Sequence, residues 1–247
     1  MSRIKKNKGL KKKSVLKIIL FLFIIGLSFF SVINLDIFSI KTVLVENNNV
    51  FTEEDIIQMS GVIFGINTFK IKTNDIAERI LAHPYIKEVK IKRQLPDKIS
   101  IIVEERKEAA IVFFLDRCIV LDDEGYALKT VDSNPYITII EGLNIEDFTI
   151  GEKLEVNNQK IFEDALKVIK AMDENDLFFK RITVSDDQLV VSIYDKLVLK
   201  AKSDIILSNM EAIGKLIYDL HKDGIKRGTI LVLDNGYLSY SPVEHGR

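Results

Sequence analysis

Apolar and charged residues separate completely over the first 35 positions of this chain. Residues 18–35, IILFLFIIGLSFFSVINL, contain no charged side chain. Eighteen helical residues rise about 27 Å, close to the roughly 30 Å of bilayer hydrocarbon, and Lys17 can extend the span by reaching toward the headgroups. The pattern therefore predicts one transmembrane helix over residues 18–35.

The charges that flank this segment predict its orientation. All charged residues before Ile18 are basic, and the first acidic residue is Asp36. Clustered Lys and Arg hold a flank in the cytoplasm, so residues 1–17 are predicted to be a cytoplasmic tail and the chain from residue 36 to be extracytoplasmic. A cleaved signal peptide would have an apolar core of about 7–15 residues and a small-x-small cleavage site; residues 29–35 contain no such site, so an uncleaved anchor is the better interpretation. The basic residues nearest the span are Lys11, Lys12, Lys13 and Lys17.

Residues 36–106 have the periodicity of a small α+β unit. A short apolar strand begins near Ile40, and Thr52 is followed by acidic residues that suit the first turn of a helix. A second amphipathic helix is expected from Thr73 to His83, because the residue before a proline resists the helical conformation. Two strands with strict alternation then flank Leu95-Pro96-Asp97. The predicted order is strand, helix, helix, strand, strand.

Residues 107–242 change to short apolar strands, with residues 243–247 as a tail. Two amphipathic helices interrupt them, one over residues 159–172 and one that starts at Ser203 or Asp204. Asp234-Asn235-Gly236 lies between two apolar runs, and Asn-Gly is the strongest short-range hairpin signal. We expect a mostly antiparallel β domain with two helices.

Composition excludes several classes of function. Eight of the 35 basic residues precede Ile18, which leaves 27 against 36 acidic ones in the rest of the chain, so a nucleic-acid binder is not expected. Cys118 is the only cysteine, and none of the three histidines has zinc-ligand spacing. No catalytic constellation, metal site, cofactor site or small-molecule site can be assembled, and we expect a protein that is not an enzyme.

Residues 85–106, YIKEVKIKRQLPDKISIIVEER, resemble the FtsQ/DivIB cell-division proteins. The pattern includes Val89-Lys90-Ile91-Lys92-Arg93, Pro96 and Glu105-Arg106, followed by an apolar-Asp-x-x-Gly segment at residues 120–125. The resemblance implies a basic cytoplasmic tail, one membrane span, a POTRA domain (β-α-α-β-β) over 36–106 and a β domain over 107–242. One departure is Arg106-Lys107-Glu108, where the family has a proline after the Glu-Arg pair.

The resemblance also implies a scaffold function at the division septum. Family members bind two small bitopic partners, FtsL and FtsB/DivIC, and help to control septal peptidoglycan synthesis. A partner strand is added to the last β-strand, which in this sequence falls on Tyr237, Leu238, Ser239, Tyr240 and Ser241. A terminal strand offers unpaired backbone groups for such addition, and the two tyrosines would anchor the partner. Pro substitution at Ser239 is expected to weaken strand addition while leaving the fold mostly intact.

Two further hypotheses remain at this point. Lys90, Lys92 and Arg93 form a possible second surface for a partner or for lipid headgroups, although a solvated strand face with lysines that discourage edge pairing is the favoured explanation. The alternative functions are a membrane-anchored regulator of a cell-wall enzyme, and a POTRA-type sensor unrelated to division.

Overall fold

The computed structural model describes residues 12–132, 136–185, 188–233 and 235–242. Two compact units are present, one formed by the chain up to Ile80 together with Glu88–Glu104, the other by Leu81–Lys87 together with the chain from Glu105. Lys11 and the predicted tail at residues 243–247 lie outside the described residues, as does Asp234 of the predicted hairpin turn.

The first unit begins with a long apolar helix, α1 (Lys12–Ile33). Its segment Ser14–Ile33 is long and apolar enough to cross a membrane, and its described side chains are exposed except at Ile33, which is partly buried. A 3-10 turn, Asp36–Phe38, connects α1 to the rest of the unit. These features are consistent with a single-pass membrane protein.

A three-stranded sheet and two helices complete the first unit. They are β1 (Thr42–Glu46), α2 (Glu53–Ser60), α3 (Thr73–Leu81), β2 (Ile86–Gln94) and β3 (Lys98–Glu105), with the strands in the order β1-β3-β2. Thr52 caps α2 because its hydroxyl accepts the Asp55 N–H at 3.2 Å while the Asp55 carboxylate accepts the Thr52 N–H at 3.0 Å. The predicted order is confirmed; α3 ends two residues earlier than expected.

A nine-stranded sheet dominates the second unit, and the predicted α+β class is confirmed. Its strands are β4 (Ala110–Phe114), β5 (Arg117–Leu121), β6 (Ala127–Val131), β7 (Thr138–Glu141), β8 (Arg181–Val184), β9 (Leu189–Tyr194), β10 (Lys196–Ala201), β11 (Arg227–Val232) and β12 (Leu238–Ser241). They lie in the order β12-β11-β10-β9-β8-β7-β4-β5-β6. Five neighbouring pairs are antiparallel and three are parallel, so the sheet is mostly antiparallel.

Three helices cover one face of this sheet instead of the two expected. They are α4 (Gln159–Glu174), α5 (Ser203–Ser208) and α6 (Met210–Lys222). The predicted last helix is broken at Asn209, whose backbone leaves the helical region (ψ 17°) while its side-chain amide donates to the Ile205 carbonyl at 2.8 Å. Phe162 of α4 and Phe179 are fully buried in the core between the helices and the sheet.

Candidate functional site

Strand β12 is the last strand at one edge of the nine-stranded sheet, and it pairs antiparallel with β11. Leu233 N–H donates to the Tyr237 carbonyl at 3.0 Å, which makes these opposed residues a hydrogen-bonded pair. Bonded and non-bonded pairs alternate along an antiparallel ladder. Ser239 is therefore bonded to Leu231, whereas the N–H and C=O groups of Leu238 and Tyr240 point toward the outer side of the sheet.

This alternation determines which residue of β12 should be replaced by proline to test partner binding. A proline at Ser239 would remove a hydrogen bond between β11 and β12 and would damage the hairpin itself. A proline at Leu238 removes an N–H that points outward, so position 238 separates partner binding from the protein's own pairing.

The two predicted tyrosine anchors have different environments. Tyr240 lies partly buried against the core, and its hydroxyl donates to the Arg227 carbonyl at 3.0 Å. Gly228 accommodates its ring: a Cβ at that position, where φ is +124°, would lie 2.7 Å from the ring and 2.5 Å from the Ser241 carbonyl oxygen. Tyr237, in contrast, is 65% exposed just before β12. Only Tyr237 has the exposure of a partner anchor; Tyr240 secures the hairpin.

Two leucines extend the exposed surface around Tyr237. Leu231 and Leu233 alternate with the core-facing Ile230 and Val232 of β11, and both are substantially exposed. Sequence reasoning did not include them, although the same alternation would have placed them on the outer face. Together with Tyr237 they form an apolar patch beside the outer strand.

A basic groove of about 500 Å³ lies beside the C-terminal end of β12. Its charged lining comes from Lys196, Lys226 and Arg227, and Tyr240 and Pro242 complete the wall next to the strand. Lys196 reaches this position because β10 and β11 run parallel with Lys196 opposite Arg227. The groove offers positive charge to an acidic side chain at the end of an added strand.

The three cations of the second predicted surface have different environments. Lys90 pairs with Glu88 at 2.9 Å, and this hydrogen bond raises the pKa of Lys90. Arg93 donates to the carbonyls of Thr68 at 3.1 Å and Ile71 at 2.5 Å, so it holds a loop of its own unit. Lys92 is exposed.

The basic residues predicted to set the membrane orientation lie at the start of the apolar helix. Of these, Lys12, Lys13 and Lys17 belong to α1.

A buried group of charges at the start of the second unit was also missed. Arg106 contacts the Asp122 carboxylate at 2.5 Å and Glu124 at 3.1 Å, and its guanidinium lies 3.7 Å from the centre of the Tyr126 ring. Asp122 also accepts the backbone N–H groups of Glu124 and Tyr126. Burial opposes the charge, yet the hydrogen bond to Asp122 raises the pKa of Arg106. Since these groups satisfy one another, the cluster has a structural role.

Tyr85, Glu108 and Lys129 form a second linked group. The Tyr85 hydroxyl donates to Glu108 at 2.6 Å, and Lys129 contacts the same carboxylate at 2.6 Å. Burial and the Glu108 hydrogen bond raise the pKa of Tyr85 to about 12. Burial raises the pKa of Glu108, but the bonds from Lys129 and Tyr85 outweigh it and lower that pKa overall.

In the described part of the chain, no three His, Cys, Asp or Glu side chains are grouped to hold a metal ion.

The order of elements defines the class: a POTRA-type α+β unit with an apolar helix before it and a β-rich unit after it. Residues 38–106 match the POTRA domain of FtsQ type. The chain is 30% identical to the cell division protein DivIB of Clostridium tetani over 47% of this chain and 45% of that protein. It is 26% identical to DivIB of Clostridium acetobutylicum over 85% of each chain, and 27% identical to the cell division protein FtsQ of Syntrophotalea carbinolica over 58% of this chain and 50% of that protein.

The chain carries an FtsQ-type POTRA domain and is similar, over most of its length, to cell-division proteins of the FtsQ/DivIB family. The resemblance drawn from residues 85–106 is therefore confirmed. The alignments to the Clostridium tetani and Syntrophotalea carbinolica relatives span about half of their length.

Proposed function

We propose that this protein is a bitopic scaffold of the bacterial division complex that accepts a partner strand on β12. The proposed partners are small bitopic division proteins like FtsL and FtsB/DivIC, and the complex would help to control septal peptidoglycan synthesis. The outward-pointing N–H and C=O groups of Leu238 and Tyr240 carry this proposal, because they offer an added strand a backbone ladder. Residues 1–17 are the proposed cytoplasmic tail, residues 18–35 the span, 36–106 the POTRA domain and 107–242 the β domain.

The surroundings of β12 support the same proposal. The exposed patch of Tyr237, Leu231 and Leu233 lies on one face of the outer hairpin, where alternate side chains of an added strand would pack. The basic groove at the other end of the strand suits an acidic partner residue. Main-chain pairing would supply affinity, and the apolar patch and the basic groove would fix the register of the added strand along β12.

A proline at the outward position tests the proposal. Leu238→Pro removes one outward N–H, and Leu238→Ala is the matched control because both variants lose the same leucine packing. With strand addition, Leu238→Pro should lower capture of the FtsL-like and DivIC-like proteins of the source organism about tenfold or more, the equivalent of roughly one or two hydrogen bonds. Capture is measured by co-purification of the full chain in detergent. Equal capture by the two variants would show that the partner binds elsewhere.

Localisation tests the wider role. A fluorescent tag on the N-terminus of the full chain should give a mid-cell band in dividing cells of the source organism, and Leu238→Pro reports whether the edge strand contributes to it. Uniform membrane fluorescence through the division cycle would contradict a role at the septum.

A further inference from the structure

The loop between α2 and α3 is apolar although it is exposed. Residues 61–69, GVIFGINTF, contain no charged side chain. Ile63 is 63% exposed and Phe64 is 53% exposed, and they precede Gly65, which has a positive φ and open space around it. Phe69, at the other end of the loop, is also exposed. Phe69 packs edge-on against Phe38 with 5.2 Å between the ring centres, whereas Ile63 and Phe64 are large apolar side chains left mostly exposed to water.

Hydrogen bonds attach this loop to the end of α1. The Asn67 amide donates to the carbonyl of Ile33, the last residue of α1, at 2.7 Å. The Ile40 N–H donates to Ile66 and the Gly65 N–H donates to Ile40, both at 2.9 Å. Arg93 holds the following residues through its bonds to Thr68 and Ile71. The depth of the loop in a membrane is therefore set by the end of α1.

The length of α1 places that end at the membrane surface. The 20 residues of Ser14–Ile33 match the hydrocarbon core, so the Ile33 carbonyl would lie at the boundary between acyl chains and headgroups. Asn67 is within hydrogen-bond distance of that carbonyl. Leu35 and Ile37, which follow α1, are both more than half exposed. Lys70 and Lys72, exposed directly after the loop, can reach lipid phosphates.

We infer that the exposed apolar side chains of this loop form an interfacial membrane contact, with Ile63 and Phe64 inserted beside α1 and Lys70 and Lys72 directed to lipid phosphates. The partner of this surface is the lipid bilayer. The contact would hold the base of the POTRA unit against the membrane at a second point besides α1. This inference rests on the proposed membrane anchoring by α1, and its test measures that anchoring separately.

Site-specific fluorescence in liposomes tests this contact. The full chain, with Cys118→Ala so that a single cysteine can be labelled, is placed in vesicles of phosphatidylcholine and phosphatidylglycerol that contain lipids with a nitroxide on the acyl chain. A polarity-sensitive fluorophore is attached at Phe64→Cys, at Val50→Cys or at Leu22→Cys. Val50 is the matched control because it is 56% exposed in the same unit but lies beyond the far end of β1. Leu22 reports on α1.

Lipid contact predicts that the probe at position 64 is quenched several-fold more than the probe at position 50. Its depth should be roughly 5–10 Å below the headgroup surface, as for interfacial apolar groups. Ile63→Asp in the Phe64→Cys background should reduce this quenching, because a carboxylate resists leaving water.

Three results would overturn the inference. If the probe at 22 is quenched and the probe at 64 behaves like that at 50, α1 spans the membrane but the loop stays in water. A blue-shifted probe at 64 that lipid nitroxides do not quench indicates contact with protein. An unquenched probe at 22 would refute the proposed anchoring and this contact with it.

Discussion

The nine-stranded sheet has one edge covered by the chain itself and another edge that no strand covers in the described residues. At the β6 edge, Ala127 donates to the Glu152 carbonyl at 2.9 Å and accepts the Gly151 N–H at 2.7 Å, so residues 151–152 use both of its backbone groups. A register shift interrupts the β5–β6 ladder as well. At the β12 edge, the corresponding groups of Leu238 and Tyr240 point outward.

The difference between the two edges concerns protection against unwanted pairing with other chains. Exposed edges invite pairing with other chains, and proteins blunt them with bulges, lysines and covering loops. The β6 edge has all three: the register shift, Lys129, and residues 151–152. The described part of β12 has none of these. A sheet with three such devices at one edge and none of them along the other has the arrangement expected of a strand-addition site.

The largest expected effect on stability comes from removing the Asp122 carboxylate, which holds the turn before β6. Asp122 is 1% exposed and holds both Arg106 and the turn that leads into β6. Asp122→Ala should lower the free energy of unfolding of the second unit by about 3–5 kcal/mol, because Arg106 stays buried without its main partner. Urea unfolding of the full chain in detergent, followed by far-UV circular dichroism, measures this change.

Asp123→Ala is the matched control for this experiment. Asp123 is the next residue in the same turn, but its pair with Lys170 is exposed and 3.6 Å long. Asp123→Ala should therefore lower the free energy of unfolding by less than about 1 kcal/mol. If the two variants were equally stable, the buried pair would not be what supports the β6 edge.

Gly228 lies in β11, next to the outer strand β12, and a larger residue at this position should weaken the last hairpin. Gly228→Ala places a Cβ against the Ser241 carbonyl and the Tyr240 ring at a strained φ, which should cost about 1–3 kcal/mol locally. Hydrogen exchange should therefore accelerate in β11 and β12 and stay unchanged in β5 and β6. Gly224→Ala is the control, since Gly224 also has a positive φ but nothing within 4 Å of its Cβ. Uniform acceleration across the sheet would show that the strain at Gly228 is not confined to β11 and β12.

Much of this arrangement follows from sequence pattern, and the rest depends on contacts that pattern does not encode. Alternation and the Asn-Gly turn predict the last hairpin. The direction of each N–H in β12 depends on the bond between Leu233 and Tyr237, which turn length alone does not specify. The basic groove combines Lys196 with Lys226 through a parallel pairing of distant strands. Arg106 is part of the Glu-Arg motif, but its burial against Asp122 is a tertiary property.

The Tyr85 group on the covered edge makes stability depend on alkaline pH. The pKa of Tyr85 is raised from an ordinary value of 10.0 to about 12 in the folded protein, so its contribution is fully present below pH 10 and is lost as pH rises toward 12. The loss approaches about 1.4 kcal/mol per pH unit at most and is smaller here, because the ring is partly exposed to solvent. Urea unfolding at pH 9, 10 and 11 should show the wild type losing its advantage over Tyr85→Phe. A constant difference between the two would refute this linkage.

The smallest expected effect concerns the lysine on the covered edge. Lys129 pairs with Glu108, but its side chain is 44% exposed, so Lys129→Gln should cost only about 0.2–1 kcal/mol in urea unfolding. Lys200→Gln, on an interior strand of the same sheet, is the control for loss of one positive charge. If the β6 edge is covered mainly by its backbone bonds to residues 151–152, Lys129→Gln should remain monomeric in size-exclusion chromatography. Self-association of this variant alone would instead identify the lysine as the main protection of the edge, and the contrast with β12 would then be one of charge and not of backbone pairing.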